Sequence, residues 1–196
     1  MGFFLKIKKM EKENKTLEQK IQEWKEKYGG VYEFPVDDKV CYLRIPTMTD
    51  YKRVFNAMDD DGEVGFGEEM LAALWIEGDE DIRKNDDYFL PARKKLTKFL
   101  KYPDAEITDL ADRKFNIKIQ DAVTCVRVIT REDIKMAERK NPSSKPFVTQ
   151  EKLYELIKVG EHSAEFDNKE DAEIRMPLYK AIEELQNRKV AQLKKL

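Results

Sequence analysis

Asp59, Asp61, Gly62, Val64 and Glu68 fall at the third, fifth, sixth, eighth and twelfth positions of a run that begins at Ala57. That is the spacing of a twelve-residue calcium loop held between two helices. Alternate carboxylates supply oxygens, the glycine makes a sharp turn, and the last glutamate closes the coordination shell. The first position calls for an aspartate, and Ala57 stands there, so one ligand is missing. The matching loop later in the chain, Asn141-Pro-Ser-Ser-Lys-Pro146, has no ligand set. The preferred reading of residues 59 to 67 is an acidic loop that its glycines let turn, with calcium binding kept as an alternative.

Other chemistry is sparse. The single histidine, His162, sits in a polar stretch after a predicted helix end. No glycine-flanked serine, Gly-Lys-Ser/Thr phosphate loop or glycine-rich dinucleotide fingerprint is present. Carboxylates come in runs such as Asp79-Glu-Asp81, which read as solvated faces. The expectation is no enzyme, no cofactor and no bound metal. Cys41 and Cys125 read as a reduced pair in separate strands.

Four residues are candidates for contacting a partner: Trp24, Tyr28, Arg44 and Arg127. Trp24 and Tyr28 lie on a leading helix, where an exposed aromatic can act as a binding hot spot. Arg44 and Arg127 each end a predicted strand and could anchor a partner's carboxylate. Pairing within the chain, to Asp50 and Asp133, is the preferred alternative. Trp75 continues the face of Leu71 and Leu74 and reads as core.

Several elements must position these residues. Leu17, Ile21, Trp24 and Tyr28 recur at helical spacing over residues 11 to 28, and Gly29-Gly30 stops that helix. The stripe suits either a helix over a sheet or a short partner-docking seam. Val31 to Val36 and Lys39 to Ile45 alternate around Asp37-Asp38, a hairpin whose Pro35 belongs at a sheet edge. Thr47 with Asp50 starts a helix. A second helix carries Met70, Leu71, Leu74 and Trp75 and closes at Gly78; a third spans about Tyr88 to Leu100. A connecting helix near residues 105 to 112, a second hairpin, two further helices and a long final helix from Pro177 to about Leu196 complete the chain.

The second half repeats the first. Shifted by 83, Asp38, Val40, Arg44, Thr47, Asp50 and Lys52 fall on Asp121, Val123, Arg127, Thr130, Asp133 and Lys135. Tyr32, Phe34 and Val36 land on Phe115, Ile117 and Ile119 in the same strand phase. At 82, Glu69, Leu71, Leu74 and Gly78 match Glu151, Leu153, Leu156 and Gly160; at 86, Pro91 and Lys94 match Pro177 and Lys180. A fixed period is the mark of a repeated unit. The expected fold class is α+β, two tandem copies of a small unit (a β-hairpin followed by two to three helices) preceded by an N-terminal helix. The expected boundaries are a tail and amphipathic helix at 1–30, a first unit at 31–104 and a second at 105–196.

Composition narrows the class. Of 196 residues, 37 are basic and 39 acidic, a net charge of −2, without the basic excess that phosphate binding favours. No apolar run approaches the ~20 residues of a membrane span. The basic, apolar start Met1 to Met10 is short for a signal peptide; it reads as a tail, with Met10 a second candidate start.

Three stretches carry a resemblance. Val-Asp-Asp-Lys-Val-Cys-Tyr-Leu-Arg-Ile-Pro-Thr (36 to 47), Glu-Glu-Met-Leu-Ala-Ala-Leu-Trp-Ile-Glu-Gly-Asp-Glu (68 to 80) and Asp-Asp-Tyr-Phe-Leu-Pro-Ala (86 to 92) resemble small tail-assembly-chaperone-like proteins of bacteriophages and prophages. The resemblance covers residues 31 to 102; the second half lacks the Trp and the Gly-Asp-Glu run. It implies a non-enzymatic morphogenesis protein that binds tail proteins during tail assembly. The alternatives are a structural virion protein built from the same module and an EF-hand-like calcium-binding module. Expected partners are other phage tail or virion proteins, with no nucleic acid and no membrane, and self-association into a homo-oligomer left open. The implied location is the host cytoplasm or the virion.

Overall fold

The computed structural model describes residues 15–189. The stretch Met1 to Met10 and the Lys194-Lys195 pair lie outside them. The fold is α+β, with two antiparallel sheets and their helices. Helix α1 (Leu17–Tyr28) opens on a capping box between Thr16 and Gln19 and stops at Gly29, whose φ of 75° suits a residue without Cβ. Strands β1 (Val31–Val36) and β2 (Lys39–Arg44) form the expected hairpin. Pro35 lies on the sheet edge, because the strand order is β1-β2-β3.

Helix α2 (Met48–Leu74) is broken at one residue, Gly62, with φ 64° and ψ −148°. Such a conformation is open to glycine and strained for other residues. The break reverses the chain. Arg53 forms an ion pair with Glu69, and sixteen residues of straight helix would hold them about 24 Å apart. Phe55 and Phe66 meet edge to face at 6.4 Å. The loop expected at residues 59 to 67 is therefore helical on both sides of a single turning residue. Ala57, Met58, Glu63 and Glu68 around the turn favour helix, and Gly62 supplies the reversal.

Three further expectations change. Trp75–Gly78 is not the end of a helix but strand β3, antiparallel to β2. Gly78 crosses so close to Cys41 that a Cβ would lie 2.4 Å from the Cys41 Cα. Residues 106–110 form strand β4 (Glu106–Leu110), not a connecting helix, followed by a 3-10 turn. The final helix, α7 (Ala172–Gln186), begins five residues before Pro177, because Asp171 caps it by accepting the Glu173 and Ile174 amides at 3.0 and 3.3 Å. Helices α3 (Asp81–Lys84) and α4 (Asp86–Leu96) complete the first half, with a 3-10 turn at Thr97–Leu100.

In the second half, β4, β5 (Lys114–Ile119), β6 (Ala122–Arg127) and β7 (Lys158–His162) form a sheet in that order. Helices α5 (Arg131–Arg139) and α6 (Val148–Ile157) connect β6 to β7. Hairpin, two helical arms, returning strand and proline-containing helix thus follow one another in both halves, with Pro91 and Pro177 each sixth in its helix.

Alternation sorts the sheet faces. Tyr32, Phe34 and Val36 share a face with Leu43 and Cys41 and turn toward α2 and α4. The opposite face, with Tyr42, is covered by α1 through Trp24, whose ring lies 5.3 Å from that of Tyr42. The two halves bury one continuous apolar cluster. Phe147 joins them, edge-on to Phe55 at 5.0 Å and stacked on Tyr179 at 6.0 Å. Backbone contacts reinforce the joint: the Met48 amide donates to the Glu170 carbonyl at 3.1 Å, and the Thr49 amide to its carboxylate at 2.8 Å.

Candidate functional site

The two candidate arginines hold corners of the fold. As β2 ends, Arg44 donates a bidentate pair of bonds to Asp50, both 2.7 Å, and a third to the Ile45 carbonyl. Asp50 also accepts the Thr47 amide at 2.8 Å and its hydroxyl at 3.0 Å. At the end of β6, Arg127 binds Asp133 at the same two distances and the Val128 carbonyl at 3.0 Å. Thr130 completes that corner. These forks are occupied from within the chain, so Arg44 and Arg127 act as internal clasps rather than free partner anchors.

The clasps set the charge state of their carboxylates. The Arg127 guanidinium holds Asp133 well below the usual carboxylate range, against the effect of burial and with help from Thr130. Burial pushes Asp50 upward, but the bonds from Arg44 and Thr47 outweigh it and leave it lowered.

Trp24 and Tyr28 are half-buried, and the described part of α1 lies on the first sheet. Lys20 reaches Glu77 on β3 at 2.6 Å, a second tether. The helix-over-sheet alternative is what the structure contains. The stripe's outer end, Leu17, stays 48 % exposed. Trp75 is half-buried on β3 rather than in a helix face, with the Arg83 guanidinium 4.5 Å from its ring.

Asp59, Asp61 and Glu68 are exposed on helical arms, so they do not encircle a common point as calcium ligands do. Among the described residues no group of three or more His, Cys, Asp or Glu is placed to hold a metal ion. His162 lies on β7 and meets Asp167 at 2.9 Å. Burial raises the Cys41 thiol to about 12, which keeps it protonated and unreactive.

A buried ionic cluster went unread in the sequence. Arg175, 1 % exposed, lies 3.2 Å from Glu151, donates to the Phe166 carbonyl at 2.6 Å and sits 5.4 Å from the Tyr154 ring centre. Tyr179 donates to the same glutamate at 2.8 Å. These bonds tie α6 to α7.

The feature best suited to contact another molecule is a groove of about 450 Å3 beside β1. Tyr32, Glu33, Phe34 and Pro35 all line it. Consecutive strand residues point to opposite faces, so a groove touching four in a row runs along the strand's edge. Lys95, Lys98, Phe99, Lys101, Tyr102, Ile45, Pro46 and Glu173 complete its lining. Tyr32 is 42 % exposed and meets Phe99 edge to face at 4.8 Å. Beneath it, the Tyr51 and Tyr102 hydroxyls lie 2.6 Å apart, and burial pushes Tyr102 up to about 12. The floor is thus aromatic and neutral. Among the described residues, Lys95, Lys98 and Lys101 have no carboxylate within ion-pair distance. Sequence reasoning missed this groove. Its available signal was the basic run from Arg93 to Lys101 in a chain of balanced charge.

No family model, curated protein or solved structure matches the chain. No helix among the described residues is long and apolar enough to cross a membrane.

Proposed function

We propose that this chain is a non-enzymatic phage morphogenesis protein that binds tail proteins during tail assembly. The groove beside β1 supports the binding half of that reading. Among the described residues it combines an open strand edge, an exposed tyrosine over an aromatic floor and three lysines without an ion-pair partner. Strand edges of this kind take up extended segments of other proteins through main-chain hydrogen bonds. The phage half rests on the resemblance carried by residues 36 to 47, 68 to 80 and 86 to 92.

The test is genetic and biochemical together. Co-expression with the major tail and tape-measure proteins encoded in the same genome should give a complex that survives purification. Deleting the gene should leave heads without complete tails. The protein should be absent from finished particles; presence at a fixed copy number would select the structural virion role instead. Normal tails in the deletion, with no complex formed, would end the reading.

A further inference from the structure

The two sheets differ in one strand, and that difference identifies what the groove takes. Under the 83-residue shift β1 corresponds to β5, and β2 to β6. β5 is an inner strand because β4 covers its outer edge, pairing Leu110 with Lys114, Asp109 with Phe115, Thr108 with Asn116, Ile107 with Ile117 and Glu106 with Lys118. Among the described residues, the same edge of β1 has no strand beside it. The groove lies there, along Tyr32 to Pro35.

The chemistry of β4 is plain. Glu106-Ile-Thr-Asp-Leu110 alternates, with Ile107 and Asp109 on the face that meets Ile117 and Phe115. Asp109 is met by Arg188, just past the end of α7, at 2.6 Å, and that guanidinium lies 4.8 Å from the Phe115 ring centre. In the first half Tyr32 stands where Phe115 does, and the chain after α4 brings Lys98 and Lys101 into the groove. Cations are in place and, among the described residues, no carboxylate lies within ion-pair distance of these lysines, although Glu173 also lines the groove.

We propose that the β1 edge binds an extended, antiparallel segment of a partner protein with β4-like chemistry: an apolar residue opposite Phe34 and an acidic one opposite Tyr32, facing Lys95, Lys98 and Lys101. This deepens the protein-docking reading above and rests on it. Glu33 points to the other sheet face, so acidic groups are accepted on the lysine side only. Pro35 lacks an amide proton and costs the pairing at most one bond, at its end. The chain's own first 14 residues have the wrong sign, with four lysines against two glutamates.

The probe is a fluorescein-labelled peptide with the sequence of residues 104 to 111, Asp-Ala-Glu-Ile-Thr-Asp-Leu-Ala, titrated with the full chain and followed by fluorescence polarisation. Saturable binding is expected, weakened at least tenfold in a Lys95→Glu, Lys98→Glu, Lys101→Glu variant whose melting temperature is unchanged. These lysines are exposed, so the variant keeps the fold. An Asp109→Lys peptide should lose affinity by a similar factor. A peptide N-methylated on alternate amides should not bind, because strand pairing needs those donors. No saturation at 1 mM, equal affinity for the triple variant, or equal affinity of the N-methylated peptide would each overturn the proposal. Failure here with the tail-protein complex intact sinks the groove assignment alone. Peptide binding without that complex sinks the phage reading alone.

Discussion

At the residue scale, the Arg–Asp clasps decide how the protein responds to acid. Unfolded aspartates titrate near ~3.9, and Asp50 and Asp133 are both lowered in the fold. A lowered carboxyl contributes stability that is complete above its unfolded value and is lost as pH falls through its folded value. The melting temperature should therefore hold from pH 7 to about 5 and fall below about 4. Asp133→Asn should reduce that fall and cost about 1 to 2 kcal/mol in urea unfolding at pH 7, because Arg127, partly exposed, and Thr130 lose a buried charged acceptor. A variant with the full wild-type slope between pH 4 and 3 would remove Asp133 from this account. The clasps were legible in advance, since Arg, Thr and Asp recur at spacings of three and six in both halves. The Arg175–Glu151 pair was not. Its partners lie 24 positions apart, and only the packing of α6 on α7 brings them together.

At the element scale, one glycine makes α2 a hairpin rather than a rod. Gly62→Ala places a Cβ where φ is 64° and ψ is −148°, a strain of about 1 to 3 kcal/mol. The variant should unfold at correspondingly lower urea, and protease cleavage near residue 62 should quicken. Unchanged stability and cleavage would mean that the turn tolerates a side chain. The hairpin strands were readable because alternation, an Asp-Asp turn and Pro35 agreed. β3 and β4 were not. Trp75-Ile-Glu-Gly78 is four residues long and follows directly on a helical period, so in sequence it reads as more helix. Glu106-Ile-Thr-Asp-Leu110 is only five residues long and three of them are polar, so its pairing with β5 is what marks it as a strand.

At the scale of the molecule, the halves lean on each other through few side chains. Phe147 bridges Phe55 and Tyr179 from a backbone φ of 63°, unusual for an aromatic. Phe147→Ala should cost about 2 kcal/mol, below the range for a fully buried phenylalanine because the ring is half-exposed. It should also split one unfolding transition into two. Fluorescence of Trp24 and Trp75 would report the first half, and far-UV dichroism both. Coincident midpoints would show that the remaining contacts couple the halves unaided. The candidate site belongs to this scale, which is why the sequence concealed it: its walls come from β1, the end of α4 and the start of α7. Each contributes only a few residues, and none is unusual alone.

The clasps have a consequence for the order of events at the ribosome. Each joins residues six apart, so the chain entropy lost in closing it is small. Phe55 must wait for a partner roughly ninety residues downstream. Chains fold from the N-terminal side as they are made. The leading corner can therefore set while its counterpart is still untranslated, and the seam between the halves is the last thing the nascent polypeptide completes.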